Sequence, residues 1–143
     1  MGEMKANELM IGDWVRHANG TPMQVTRIDY CTENKGHFAC GTPHHWEYNN
    51  KFEPIPLTPE ILTKNGFYKV DYGVDSVVAY EWKDPNQNAT VEVFYYKYLP
   101  EEEMRIEVVM GSFTAHHPSA WRGYVHWLQH ALRLCGIEKE VVV

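Results

Sequence analysis

Four histidines crowd the last part of the chain: His116, His117, His126 and His130. His126 and His130 stand four apart in a stretch of helical periodicity, so their rings share one helix face, as helical metal-binding pairs do. His44 and His45 offer further imidazoles from elsewhere in the fold. A metalloprotease helix places Glu directly after its first His as general base. Here the run is His126-Trp127-Leu128-Gln129-His130, with Trp127 in that place. The spacing keeps a zinc site open on His116, His117, His126 and His130, but removes the base that peptide hydrolysis needs. The plainer reading of the same residues is a solvated polar helix face.

The same segment suggests an anion site. Arg122, His126, Gln129, His130 and Arg133 form a locally basic or neutral stripe on an acidic chain. Arginine binds phosphate or carboxylate bidentately, and His and Gln add donors. Trp121, Tyr124 and Trp127 supply rings on which a base would stack. An ordinary helix surface or an oligomer contact has the same composition. For acid–base chemistry, Asp71, Asp75 and Glu81 lie near Tyr72 and Tyr80, where strand alternation would bring some of them together. A solvated sheet face explains them equally well. Cys135 falls on the apolar stripe of the helix, where thiols are inert. There is no Walker A loop, no G-x-G-x-x-G and no G-x-S-x-G, so the common phosphate-binding and hydrolase signatures are missing.

The elements that must position these residues read as α+β. Trp121, Val125, Leu128, Leu132 and Cys135 recur at helical spacing and predict a C-terminal helix near 120–135, with Ser119 as N-cap and Gly136 as its stop. Two apolar runs, Asp13–His17 and Met23–Ile28, flank Asn19-Gly20, a strong hairpin signal. The preceding Leu9-x-Ile11-Gly12-Asp13-Trp14-Val15 suits a tight turn feeding a strand in a small SH3-like barrel, and suits any β-meander as well. Cys31–Gly41 reads as irregular, and His44–Phe52 as a further strand. Thr58, Pro59 and Gly66 bracket a short helix near 59–65. Val77–Trp82, Thr90–Leu99 and Met104–Met110 read as an antiparallel sheet, and Val141–Val143 as a short final strand. The whole is expected as one domain, 1–143, with a possible sub-division into 1–57 and 58–143.

Composition narrows the function classes. The chain has 143 residues with a formal charge of −6, which disfavours generic coating of nucleic acid. It has three cysteines, an odd number without a Cys-x-x-Cys pair, so a disulfide framework is not expected. The first residues, MGEMKANELM, lack the apolar core of a signal peptide, and no long apolar run suggests a membrane span. The expected location is the cytoplasm.

Two stretches resemble a known family. Asn7 to Val15 (NELMIGDWV), Glu53 to Leu62 (EPIPLTPEIL) and Asn65-Gly66-Phe67 resemble the front of a family of small uncharacterised proteins encoded by phages and prophages of anaerobic gut bacteria. Tyr124 to His130 (YVHWLQH), then Leu132 and Gly136, is similar to that family's closing Tyr-Val-His-x-Leu-Gln-Asn signature. The middle of the chain is not covered. The family has no assigned activity, so the resemblance implies context: a phage-type accessory protein in the cytoplasm of a bacterial host. Its pattern often has Asn where this chain has His130, which favours His126 and Gln129 as the residues the helix uses.

These observations converge on a non-enzymatic binding protein, countering host defence by sequestering a nucleotide or other anionic ligand on Arg122, His126, Trp127, Gln129, His130 and Arg133. A host protein is the other partner considered. No cofactor is expected, zinc on the histidine cluster being the exception. A metal-dependent hydrolase and a protein-interaction or homo-oligomeric module remain open alternatives.

Overall fold

Alternating apolar runs separated by turn residues fold into two antiparallel sheets, seen in a computed structural model. It describes residues 9–17, 20–31, 36–42, 45–48, 52–98, 104–111, 113–116 and 123–143. The class is α+β, with two open five-stranded sheets. The chain divides into two compact units, Met1–Ile55 and Pro56–Val143.

The first unit begins with the expected hairpin, Trp14–His17 (β1) and Pro22–Cys31 (β2). The His17 N–H donates to the Thr21 carbonyl at 2.9 Å, and Gly20 turns the chain with φ +90°. That left-handed conformation is open to glycine at little steric cost. Gly36–Thr42 (β3), His45–Tyr48 (β4) and Phe52–Pro54 (β5) complete a sheet in the order β4-β3-β2-β1-β5. Of Cys31–Gly41, expected to be irregular, Cys31 and Gly36–Gly41 instead lie in strands, pairing from Val25↔Gly41 to Cys31↔Gly36, because ladder bonding satisfies backbone groups whatever the side-chain pattern, while residues 32–35 lie outside the described residues. His44–Phe52, expected as one strand, holds two, β4 on β3 and β5 on β1. A register shift between Val25 and Arg27 bulges β2, and such a bulge bends its strand.

Leu9, Val15, Met23 and Val25 are buried together, with Ile28 packed against them. Asp13 is fully buried beside them and its carboxylate accepts the Met10 N–H at 2.8 Å, holding the turn that feeds β1. Removing that carboxylate breaks the bond that holds the turn and leaves space where a fully buried side chain stood. Asp13→Ala is therefore expected to lower stability by about 2 kcal/mol in a urea titration.

The second unit opens on Pro59–Lys64 (α1). The Thr58 hydroxyl accepts the Ile61 N–H at 3.3 Å, Pro59 sits in the first turn, and Gly66 follows with φ +85°. Tyr68–Val70 (β6), Val77–Lys83 (β7), Ala89–Tyr96 (β8), Arg105–Met110 (β9) and Phe113–His116 (β10) then form a sheet in the order β10-β9-β8-β7-β6. One face of β8 and β9 is apolar and buried: Val91, Val93, Ile106 and Val108. The last helix, Val125–Leu134 (α2), packs against β9. Val141–Val143 is not a strand. The Asn65 side chain bonds the Val142 backbone from both sides and takes the place of a strand partner.

The helix predicted over 120–135 starts later. Residues 117–122, including Ser119, lie outside the described residues. Tyr124 is the N-cap, with extended φ −121° and ψ 149°. It forms a bridge with Pro56, and the Leu57 N–H donates to the Gly123 carbonyl at 2.8 Å. That pairing holds residues 123 and 124 extended, so helical turns begin only at Val125. Among the described residues no helix is long and apolar enough to cross a membrane.

Candidate functional site

The helix that carries the histidines does not display them. His126, Gln129 and His130 are buried at 3%, 6% and 6% exposure, alongside Val125, Leu128, Ala131 and Leu132. Leu134 is exposed instead, and Trp127 and Arg133 are half-buried. The solvated polar face read from periodicity is thus corrected: the histidines and Gln129 turn inward, and the outward edge runs through Trp127 and Leu134. The rings account for this. His126 stacks on Tyr124 with planes 8° apart and centroids 6.0 Å apart. Trp127 lies 5.1 Å from both His126 and His130, and the two imidazoles meet edge to face at 5.7 Å. In such packing an imidazole serves as an aromatic body with a polar tip.

Arg122 and His117 lie outside the described residues, and of His116 only the strand position on β10 is described. The structure therefore brings together His126, Trp127 and His130 of the predicted set, with Gln129 and Arg133 on the same helix. No group of three His, Cys, Asp or Glu side chains suited to a metal forms among the described residues. Cys135, expected on the apolar stripe of the helix, is the half-buried C-cap of α2, and burial pushes its thiol pKa up. A raised pKa keeps the thiol protonated and weakens it as a nucleophile.

A second constellation lies on the sheet of this unit, on the face opposite the buried valines. Register places Tyr68, Glu81, Glu92 and Glu107 directly opposite one another across β6, β7, β8 and β9, and His116 opposite Glu107 on β10. The row follows from alternation: Val91 and Val93 are buried, so Thr90, Glu92 and Phe94 take the other face. Like charges directly opposite on neighbouring strands repel. Here phenols offset part of that cost. The Tyr72 hydroxyl donates to Glu81 Oε1 at 3.0 Å, and the Tyr68 hydroxyl to Oε2 at 3.2 Å. Arg105, at 3.7 Å, is the ion-pair partner of Glu107.

The central carboxyl takes up the remaining strain electrostatically. Partial burial, a hydrogen bond to Glu81 and the charges of Glu81 and Glu107 push Glu92 up to about 7. Tyr72 is pushed up to about 12 by partial burial and the adjoining carboxylates, so it stays a donor. Rings border the row: Tyr72 packs on Phe94 at 6.0 Å, and the Arg105 guanidinium lies 5.9 Å from the Tyr96 ring centre. Tyr68 and Tyr72 are exposed.

The raised Glu92 value sets a pH dependence. Between its ordinary value of 4.5 and about 7, the folded chain holds a proton that the unfolded chain releases, so stability falls as pH rises through that window. Glu92→Gln removes this dependence. The variant is expected to exceed the parent by about 1 kcal/mol at pH 8, after solvent screening, and to match it near pH 4.5 in urea titrations.

Sequence reading had Glu81 and Tyr72 in view and missed Tyr68, Glu92 and Glu107. The alternating pattern put each Glu on the polar side of its strand, but strand register is what brings them into line. A cleft of about 390 Å³ lies nearby in sequence, walled by Lys69, Asp71, Val74, Asp75, Val77 and Lys97 among others. None of the three glutamates lines it, and its lysines and aspartates balance in charge.

Fold and site together define a two-unit α+β protein with a half-buried carboxylate row across one sheet. No family model, no curated protein and no solved structure matches the chain.

Proposed function

We propose that the chain is a non-enzymatic binding protein whose second unit holds a basic partner, through Lys or Arg side chains, on the sheet face that carries the glutamates. The observation that carries this reading is the cross-strand row Glu81–Glu92–Glu107, hydroxyl-bonded at one end and flanked by Tyr72, Phe94 and Tyr96. Carboxylates crowded together gain most when a cation arrives, and aromatic rings add a cation–π attraction. The overall charge of −6 supports the same sign of partner. The row lies half-buried along the sheet rather than in the cleft, which suits docking better than catalysis.

The first unit is read as an SH3-like module. Support comes from its order β4-β3-β2-β1-β5, in which a long bulged β2 pairs on both sides and β5 returns to β1. The resemblance at both ends of the chain supports a phage-type accessory role in the cytoplasm of a bacterial host, acting on a host protein. A nucleotide held along α2 has less support, because His126, Gln129 and His130 are buried and a carboxylate face repels phosphate.

Titration of the labelled protein with an oligolysine peptide, followed by NMR, tests the reading. Shifts centred on Glu81, Glu92 and Phe94, absent with an oligoglutamate peptide, are expected. The combined Glu81→Gln, Glu92→Gln, Glu107→Gln variant is expected to lose at least tenfold in affinity, on the order of 1.4 kcal/mol. Equal response to both peptides, or shifts confined to α2, would sink it.

A further inference from the structure

We propose that residues 137–143 occupy a peptide-recognition groove in the second unit, and that this groove fits an extended strand of a partner protein presenting apolar, cationic and apolar side chains at every second position. The groove is separate from the glutamate row and does not depend on it.

Residues 137–143 form neither helix nor strand, yet they run in a fixed register. The Gln87 side-chain amide donates to the Gly136 carbonyl at 3.0 Å. The Lys139 ammonium lies 4.4 Å from the Trp82 ring centre. The Asn65 amide bonds both the N–H and the carbonyl of Val142, and the Lys64 ammonium reaches the Val143 carbonyl at 2.9 Å. Burial alternates along the run: Ile137 and Val141 are buried and Lys139 is half-buried, while Glu138 and Glu140 are exposed. A period of two is that of an extended chain. Its inward side chains are thus apolar, cationic and apolar. The cation meets a matched seat. Trp82 offers its ring, and the carboxylate of Asp84, itself buried, attracts the same charge. Phe67 backs the Trp82 ring at 6.4 Å.

Proteins recognise extended peptides in this way: bonds to the main chain hold any sequence, and pockets for alternate side chains choose one. Here the main-chain bonds come from side chains 49 to 79 positions away. None of the described strands pairs with the segment, so lifting it off breaks no ladder. A second copy carries the identical segment, so exchange would remake every bond it breaks and gain nothing. A partner strand that fills the same seats better displaces it. The chain's own segment competes at an effective concentration on the order of millimolar, as a short tether gives. It therefore keeps the groove shut to weak ligands.

Titration of the full chain with the peptide Ile-Glu-Lys-Glu-Val-Val-Val, followed by NMR at the Trp82 indole and the Asn65 side-chain amide, tests this. Lys139→Gln loosens the chain's own segment and leaves every groove residue in place. The variant is expected to bind the peptide about tenfold more tightly than the parent. A peptide with Glu in place of its Lys should bind the same variant at least about tenfold more weakly. That second comparison uses one protein, so no difference in folding enters it. Equal affinity of parent and variant, equal affinity of the two peptides, or no shift at Trp82 and Asn65 up to about 10 mM peptide would each overturn the groove. A dimer of the parent that the peptide dissociates would give the groove to a second copy and overturn the separate partner.

Discussion

Asn65→Ala is expected to lower the unfolding free energy by about 3 kcal/mol, the largest loss from any single polar side chain considered for this protein. Asn65 is the C-cap of α1 and is 6% exposed. Its Nδ2 donates to the Ile61 carbonyl and to the Val142 carbonyl, each at 2.8 Å. Its Oδ1 accepts the Val142 N–H at 2.8 Å. A side-chain amide offers the same donor and acceptor pair as a peptide group, so Asn65 holds Val142 as a neighbouring strand would. Val141, one residue earlier, is buried at 2% exposure. Losing the amide thus removes three bonds and loosens a buried valine. Lys64 adds only an exposed bond to the Val143 carbonyl, worth little alone. Urea titration gives the free energy, and hydrogen exchange locates it. The Val142 amide should lose protection in Asn65→Ala by more than the amides of β8 and β9. Asn65→Asp keeps the acceptor and loses both donations, so it should protect Val142 N–H partly while still destabilising the chain. Equal loss of protection at Val142 and across β8 in Asn65→Ala would show that the amide does not clamp the tail.

The clamp also shows where sequence reading stops. Thr58, Pro59 and Gly66 announced α1, because capping is local chemistry. The hairpin at Gly20 and the strands β7, β8 and β9 were legible for the same reason: turn residues and alternation act within a few positions. The final strand was not, because the partner of Val142 is a side chain 77 positions away. The α2 boundary failed likewise. Ser119 is a good cap by type, but the bridge between Pro56 and Tyr124 holds the backbone extended up to the helix. Periodicity found that helix and misjudged which side faces water. His126 and His130 score as polar, yet stacked on Tyr124 and Trp127 they bury as aromatics do. The glutamate row was half legible. Alternation assigned each Glu to a face, whereas only long-range register sets Glu81, Glu92 and Glu107 side by side.

Glu92→Lys is expected to move stability and binding in opposite directions. A lysine at the centre of the row stands between Glu81 and Glu107, turning two repulsive cross-strand pairs into attractive ones. Such pairs contribute about 0.2–1 kcal/mol each, so the folded chain should gain about 1 kcal/mol at pH 8. The same change places a positive charge where a basic partner must arrive. Affinity for oligolysine should fall by about a hundredfold, as expected when a partner charge at an interface is reversed. A residue that served only to build the sheet would show the two quantities moving together, since a better-folded sheet would bind at least as well. Urea titration and calorimetry on the same preparation separate the cases. The gain in stability should also shrink as pH falls below about 7, where Glu92 of the parent holds its proton and repulsion no longer opposes the parent. A stabilised variant that still binds oligolysine at the parent affinity would place the partner elsewhere on the molecule and leave the row a strained but purely structural feature.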